Sequence, residues 1–108
     1  TEAAGRLLRI DPRDWSQRVV AQGLALPEGL AQGRNGRLVL AEAGARRLIE
    51  LDPATGERRV LAENLPIGFE AGQGLPPSYI PTGVAVAADG TVYFSADRNN
   101  ALYRLRPR

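Results

Sequence analysis

Short apolar segments separated by turn residues run along the whole chain. Val, Leu, Ile and Tyr alternate with polar residues inside these segments, and no apolar pattern at helical spacing is sustained over about ten residues. Between the segments lie Arg34-Asn35-Gly36, Ala88-Asp89-Gly90 and the longer turn at residues 52–56. Asn-Gly and Asp-Gly supply the positive φ angles that tight hairpins require. The pattern therefore predicts an all-β chain of short antiparallel strands.

The chain repeats itself at two offsets. The segment PEGLAQGRNGRLVLAEA at residues 27–43 aligns without a gap with PTGVAVAADGTVYFSAD at residues 81–97, at an offset of 54. The segment RLIELDP at residues 47–53 matches RLLRIDP at residues 6–12 at an offset of 41, and the same offset aligns the segments that follow these two. Repeat periods of about 40–50 residues point to propellers or solenoids.

One repeat unit contains four strands joined as a meander. We call them type A (about residues 28–33), type B (37–42), type C (47–52) and type D (58–63). Along the chain the order is C, D, A, B, C, D, A, B, C, which predicts nine strands. Four-stranded meanders at this period are typical of propeller blades. We therefore predict a partial β-propeller of about two blades plus one strand.

This strand order divides the chain into four parts. Residues 1–26 hold the C and D strands of a first blade, residues 27–65 form a complete second blade, residues 66–80 form an inserted crossover loop, and residues 81–108 hold the A, B and C strands of a third blade. So few blades leave apolar faces uncovered, which monomeric proteins rarely tolerate. We therefore expect the remaining blades of a longer polypeptide, or copies of the chain itself, as partners. Apolar residues at period two in both B strands predict these buried side chains: Leu38, Leu40, Val92 and Phe94.

Composition removes several kinds of chemistry. The chain has no Cys and no His, which excludes disulfides, Cys/His zinc sites and His-activated nucleophiles within these residues. The 14 basic residues are all Arg, and they are scattered among 12 acidic residues to give a net charge of +2. A basic stripe that could follow a phosphate backbone is therefore not visible, and we expect no nucleic-acid partner. No apolar run approaches membrane-spanning length, so we expect no membrane partner either.

The openings of the two A strands suggest a family. Each reads Pro-x-Gly, a hydrophobic residue and Ala, and each is followed by Asn-Gly or Asp-Gly and a hydrophobic B strand. This arrangement resembles the NHL-type repeat, and most closely the six-bladed propellers grouped with gluconolactonase, regucalcin and strictosidine synthase. The resemblance covers nearly the whole chain but only about two of the six blades. That family contains lactonases, a condensing enzyme and binding proteins, so the fold does not settle the function.

The resemblance also implies a metal ligand. In gluconolactonase-like relatives, a Glu in a Glu-Gly dipeptide at the head of an A strand binds metal, and Glu28-Gly29 stands in a matching place. Glu28 is therefore a candidate ligand for a divalent cation such as calcium, which takes several oxygen ligands. The sequence departs from the lactonase form in two ways: Leu30 stands where that form has Pro, and Thr82 stands where a second ligand would be Asn or Asp. The alternative for Glu28 is a solvated carboxylate at the mouth of the central channel.

The remaining candidates lie where the loops are irregular. In an alternating meander the tight A–B and C–D turns share one face, while the B–C loops and the D-to-A crossovers share the other, which we call the irregular face. The crossover at residues 66–80 lengthens the period from 41 to 54, and long loops in compact domains are usually functional or disordered. For Asp97 and Asn99 the alternative is a bond to the backbone of their own loop. The candidate ligand-binding residues on this face are Phe69, Tyr79, Thr82, Asp97 and Asn99.

Two classes of function stay open at this point. The first is a metal-assisted hydrolase of lactones or related esters, in which the ion polarises a carbonyl group and orients water. The second is a non-catalytic propeller module that holds a small-molecule ligand, a glycan or a protein on its irregular face. The sequence identifies no catalytic residue for either class. It also leaves the compartment open, with a bacterial periplasmic or secreted location favoured over the cytoplasm.

Overall fold

Nine antiparallel strands form three sheets in the computed structural model, which describes residues 5–68 and 82–107. The first sheet pairs β1 (Leu7–Ile10) with β2 (Gln17–Ala21). The second sheet contains β3 (Pro27–Gln32), β4 (Leu38–Glu42), β5 (Arg47–Leu51) and β6 (Arg58–Ala62). The third sheet contains β7 (Val84–Val86), β8 (Val92–Ala96) and β9 (Ala101–Leu105).

Each sheet is a meander in which neighbours along the chain pair side by side. The strands follow the predicted order C, D, A, B, C, D, A, B, C, and the prediction of a partial all-β propeller is confirmed. Helical structure in the described residues is confined to two three-residue 3₁₀ turns, Arg34–Gly36 and Ala43–Ala45. None of the helical segments there has the length and hydrophobicity that crossing a membrane would require. Most of the predicted crossover 66–80 lies outside the described residues.

The turns adopt left-handed backbone at matching places in the repeats. Asn35 and Gly36 have φ angles of 58° and 73°, as expected for the hairpin corner between β3 and β4. In the C–D turns, Trp15 (φ 60°) occupies the position that Gly56 (φ 77°) holds one repeat later. The same conformation therefore recurs whether or not the residue is glycine, because the meander geometry and not the side chain sets the backbone there.

The second sheet is buried on both faces. In β4, Val39 and Ala41 pack against the third sheet while Leu40 packs against the first. In β8 the pattern alternates instead, with Val92, Phe94 and Ala96 buried and the residues between them exposed. Burial of Leu40, Val92 and Phe94 therefore agrees with the sequence prediction. Leu38 is only partly buried, because it is the first residue of β4 and lies at the edge of the apolar cluster between the first and second sheets.

Two apolar clusters hold the three sheets together. Within the third sheet, Phe94 in β8 also stacks on its cross-strand partner Tyr103 in β9, with ring centroids 5.5 Å apart. The cluster between the first and second sheets contains Leu7, Ala21, Leu24, Leu40, Ile49 and Leu51. The cluster between the second and third sheets contains Val39, Ala41, Leu48, Ile67, Val92, Phe94 and Ala96.

The outward faces of the first and third sheets carry apolar residues at positions that are buried in the second sheet, but there these residues are exposed. Leu51 is 0% exposed, but its counterpart one repeat earlier, Ile10, is 47% exposed. Leu48 is 0% exposed, but its counterpart one repeat later, Leu102, is 74% exposed. Full burial of one such side chain contributes about 1.5–3 kcal/mol. Both outer sheets thus present positions that the repeat buries wherever a neighbouring sheet is present.

Candidate functional site

The B–C loops bind the backbone of the preceding crossover. Gly44 donates its N–H to Ala25 O at 3.0 Å, and Arg98 donates its N–H to Pro66 O at 3.2 Å. These two bonds join equivalent positions of successive repeats. They place the B–C loops and the crossovers side by side, which is the arrangement expected of the irregular face.

Glu28 lies at the head of β3 and contacts the head of the neighbouring A strand. Its Oε2 accepts the backbone N–H of Thr82 at 2.9 Å. The close approach depends on the next residue, because a Cβ on Gly29 would lie 2.3 Å from Thr82 O. The Pro-x-Gly opening is thus explained locally: the Gly lets two A strands meet, and the residue before it can bridge them.

Thr82 is buried beside this contact. The residue is 1% exposed, and its Oγ1 has no hydrogen-bond partner within the described part of the chain. Buried hydroxyl groups are normally hydrogen-bonded, and an orphan costs about 1–3 kcal/mol. The head of the second A strand therefore holds a buried polar atom that has no hydrogen-bond partner among the described residues.

Asp97 contacts the crossover through its Oδ1 oxygen. Its Oδ1 accepts the N–H of Gly68 at 3.0 Å, and the neighbouring Arg98 donates from Nε to Gly68 O at 3.1 Å. Gly68 has φ 75°, and a Cβ there would lie 2.4 Å from Ala43 O, so only glycine fits. The Asp97 carboxylate thus binds a peptide group 29 residues away in the sequence.

Asn99 is the remaining predicted ligand-binding residue within the described part of the chain, and its contact lies elsewhere. Asn99 is exposed, and its Nδ2 donates to the hydroxyl oxygen of Tyr103 on the following strand. Phe69 and Tyr79 lie outside the described residues. The structure thus brings Glu28 and Thr82 together and ties Asp97 to the crossover.

Sequence reasoning missed one residue of the irregular face. Glu42, the last residue of β4, is 0% exposed, and its Oε2 accepts the N–H of Ala25 at 2.8 Å. Its Oε1 accepts from Nε of Arg47 at 2.7 Å. A signal was available, because Glu42 closes the apolar run Leu-Val-Leu-Ala and a buried carboxylate needs a partner. Nothing in the sequence identified the Ala25 N–H as that partner.

Three carboxylates on the irregular face therefore make the same kind of contact. Glu28, Glu42 and Asp97 each accept a backbone N–H from another repeat or a crossover, at 2.9, 2.8 and 3.0 Å. Hydrogen bonds to a charged acceptor contribute about 1.5–3 kcal/mol. The described residues contain no group of three or more Asp or Glu that could hold a metal ion. Glu28 as a metal ligand stays a prediction, and further ligands would have to come from other parts of the protein.

The carboxylates with a perturbed pKa lie elsewhere, in the tight turns. The pKa of Asp11 is lowered by the side-chain and backbone hydrogen bonds from Arg13. Backbone and side-chain hydrogen bonds from Thr91 lower the pKa of Asp89, and those from Ser16 lower that of Asp14. All three carboxyl groups bond residues two positions away, as in Asx-turns. They stabilise turns and do not mark a catalytic site.

Stacked antiparallel meanders of two, four and three strands, each following the same repeat, define a portion of a β-propeller. A scan against protein-family models and a search of curated proteins both find no match. Among solved structures, the chain is similar to the PQQ-bound form of an aldose sugar dehydrogenase from Streptomyces coelicolor, with a TM-score of 0.58 and 26% sequence identity. The match covers 96% of this chain and 29% of that one. The chain thus spans less than a third of the length of that protein.

Proposed function

We propose that this chain is a portion of a propeller protein that binds a polyhydroxylated small molecule, such as a sugar lactone or an aldose, at its irregular face. The observation that carries the proposal is the contact between Glu28 and Thr82, which sets a carboxylate and a buried hydroxyl group at two neighbouring A-strand heads. Carboxylates and hydroxyl groups are the acceptors and donors that sugar hydroxyls bind. The similarity to a sugar dehydrogenase supports the same class of ligand.

The first candidate activity is the hydrolysis of a sugar lactone. The resemblance to gluconolactonase-like propellers supports it, because Glu28 stands where that family has a metal-binding Glu. A bound divalent cation such as calcium would polarise the lactone carbonyl group and orient water. Glu28 would contribute one carboxylate ligand while its Oε2 also receives the Thr82 N–H. The remaining ligands would come from outside the described residues.

The second candidate activity is the oxidation of a sugar, and the comparison with the aldose sugar dehydrogenase favours it. In such an enzyme this chain would bind substrate hydroxyl groups through Thr82 and Glu28. No described residue is assigned to a redox cofactor. A propeller that binds sugars without catalysis is the remaining outcome of the same test.

The test uses the complete polypeptide that contains these residues. Lactone hydrolysis is followed with and without calcium, and aldose oxidation is followed with an artificial electron acceptor. Glu28→Gln removes the charge but keeps an oxygen that accepts the Thr82 N–H. A loss of activity in this variant would therefore reflect the loss of the carboxylate and not a loss of folding. We expect calcium-dependent hydrolysis that falls about 10- to 100-fold in Glu28→Gln, and a melting temperature that calcium raises in the unchanged protein but not in Glu28→Gln.

The matched control is Glu42→Gln, which alters a buried carboxylate that contacts a different crossover. It should lower stability and leave the calcium response intact. Hydrolysis that is indifferent to calcium and to Glu28→Gln would contradict the first candidate. Oxidation without hydrolysis would favour the second.

A further inference from the structure

The corners of the two A–B hairpins have the same length but different conformations. Residues 33–37 join β3 to β4, and residues 87–91 join β7 to β8 at the equivalent place in the repeat. At the first corner Arg37 donates its backbone N–H to Arg34 O at 3.1 Å. Asn35, between them, has left-handed backbone with φ 58° and ψ 33°.

The second corner uses a carboxylate where the first uses a backbone carbonyl group. Thr91 donates its N–H to Oδ1 of Asp89 at 2.9 Å, and these two residues are the counterparts of Arg37 and Asn35. The backbone of Asp89 does not have a positive φ. An Asp side chain that binds the N–H two residues later is a common stabiliser of turns. The acid and the amide at this position thus accompany two different turn arrangements.

Asn35 has surroundings in which an asparagine can lose its amide nitrogen. The residue is exposed, and among the described residues its side chain makes no hydrogen bond. The next residue is Gly36, and no atom lies within 4 Å of the place where its Cβ would be. Because glycine has no side chain, its backbone nitrogen can approach a neighbouring group closely. Both reacting groups are therefore accessible at this corner.

We propose that Asn35 is a site of spontaneous deamidation, and that the carboxylate formed there converts the corner 33–37 to the arrangement of the corner 87–91. The backbone nitrogen of Gly36 attacks Cγ of Asn35, and ammonia leaves as a succinimide ring closes. Water then breaks the new N–Cγ bond, so the side chain ends as a carboxylate and the main chain is restored. Opening of the ring at its other carbonyl group gives the isoaspartyl isomer. Water is the co-reactant, and no group is oxidised or reduced.

The conversion should release a contact between the two corners. Arg34 lies over Gly90, where a Cβ would be 2.5 Å from Arg34 Nε. Hydrogen bonds from Thr91 lower the pKa of Asp89, and the charge of Arg34 adds to this effect. In the second arrangement the counterpart of Arg34 is Ala88, which lies inside the turn that Gly90 closes with its N–H. A change to this arrangement moves Arg34 within its turn and so withdraws its side chain from the neighbouring sheet.

The first measurement follows the modification in the complete polypeptide that contains these residues. The protein is incubated in mildly alkaline buffer, and peptide mapping by mass spectrometry follows the conversion of each Asn to the acid and its isomer. Asn64 is the matched control, because it is exposed and left-handed (φ 57°) but precedes Leu65. We expect complete conversion at Asn35 while Asn64 keeps its amide. Equal rates at the two residues would overturn the modification site.

The variant Asn35→Asp tests the change of conformation. We expect its crystal structure to show a negative φ at position 35, the new carboxylate accepting the Arg37 N–H, and Arg34 withdrawn from Gly90. In an NMR titration the new carboxyl group should have a pKa below the usual value of about 3.9. Asn35→Gly favours left-handed backbone and has no carboxylate, so it should keep the present corner. A positive φ in Asn35→Asp, with the Arg37 N–H still on Arg34 O, would overturn the conversion.

Discussion

Replacing Glu42 with Ala should show how much its buried carboxylate contributes to the stability of the protein. The substitution removes the acceptor of the Ala25 N–H at 2.8 Å and the ion-pair partner of Arg47 at 2.7 Å, at a residue that is 0% exposed. Breaking a buried ion pair by removing one partner costs about 3–5 kcal/mol. The Arg47 side chain is 34% exposed, so water screens part of this loss. We expect Glu42→Ala to lower the free energy of unfolding by about 2–4 kcal/mol.

The conservative variant divides this loss into its parts. Glu42→Gln keeps an oxygen for the Ala25 N–H and loses the charge that Arg47 faces, so it should cost about 1 kcal/mol. Urea unfolding measures both changes, and hydrogen exchange at the Ala25 amide should accelerate in the Ala variant only. Glu63→Ala, at an exposed carboxylate, should stay within about 0.5 kcal/mol of the unchanged protein. The reasoning is falsified if Glu42→Ala costs no more than Glu63→Ala.

Three further results are expected. Gly29→Ala should cost about 1–3 kcal/mol or more, because its Cβ would lie 2.3 Å from Thr82 O; urea unfolding close to that of the unchanged protein would contradict the close packing. Leu102→Glu should reduce self-association of the isolated chain in light scattering, because this side chain is 74% exposed at a position that the repeat buries; a monomer before and after the change would refute the expectation. Asp89 has a lowered pKa through its bonds with Thr91, so its stabilising contribution should be present above about pH 4 and disappear as the pH falls through the folded-state pKa; Asp89→Asn should flatten that part of the pH profile, and an unchanged profile would count against the bond.

The strands and turns could be predicted because the same turn residues and apolar positions occur in more than one copy of the repeat. Asn-Gly at residues 35–36 and Asp-Gly at 89–90 occupy matching corners, and the apolar positions of β4 and β8 coincide when the copies are aligned. Alternation alone could not show that Val39 and Leu40 are both buried. That depends on the second sheet having a neighbour on each side, which is a property of stacking and not of the local pattern.

The candidate site was predicted less completely, for a physical reason. Sequence position identified Glu28, Thr82 and Asp97 as residues of the irregular face, but not the atoms that they contact. The N–H groups of Thr82 and Gly68 reach Glu28 and Asp97 only through the stacking of whole sheets. Glu42 was missed because a Glu at the end of a strand ordinarily faces water. Its burial also follows from the stacking.

Glu28 and Asp97 each bind a peptide N–H group at the irregular face. Asp97 holds the N–H of Gly68, and Glu28 holds the N–H of Thr82, so the segment between these two residues is fastened at both ends whatever its sequence. This is the stretch by which one repeat is longer than the other. Surface segments that connect fixed elements generally tolerate insertions and changes of sequence. New binding specificities could therefore be grafted between positions 68 and 82, whose backbone N–H groups are held by carboxylates of the sheets.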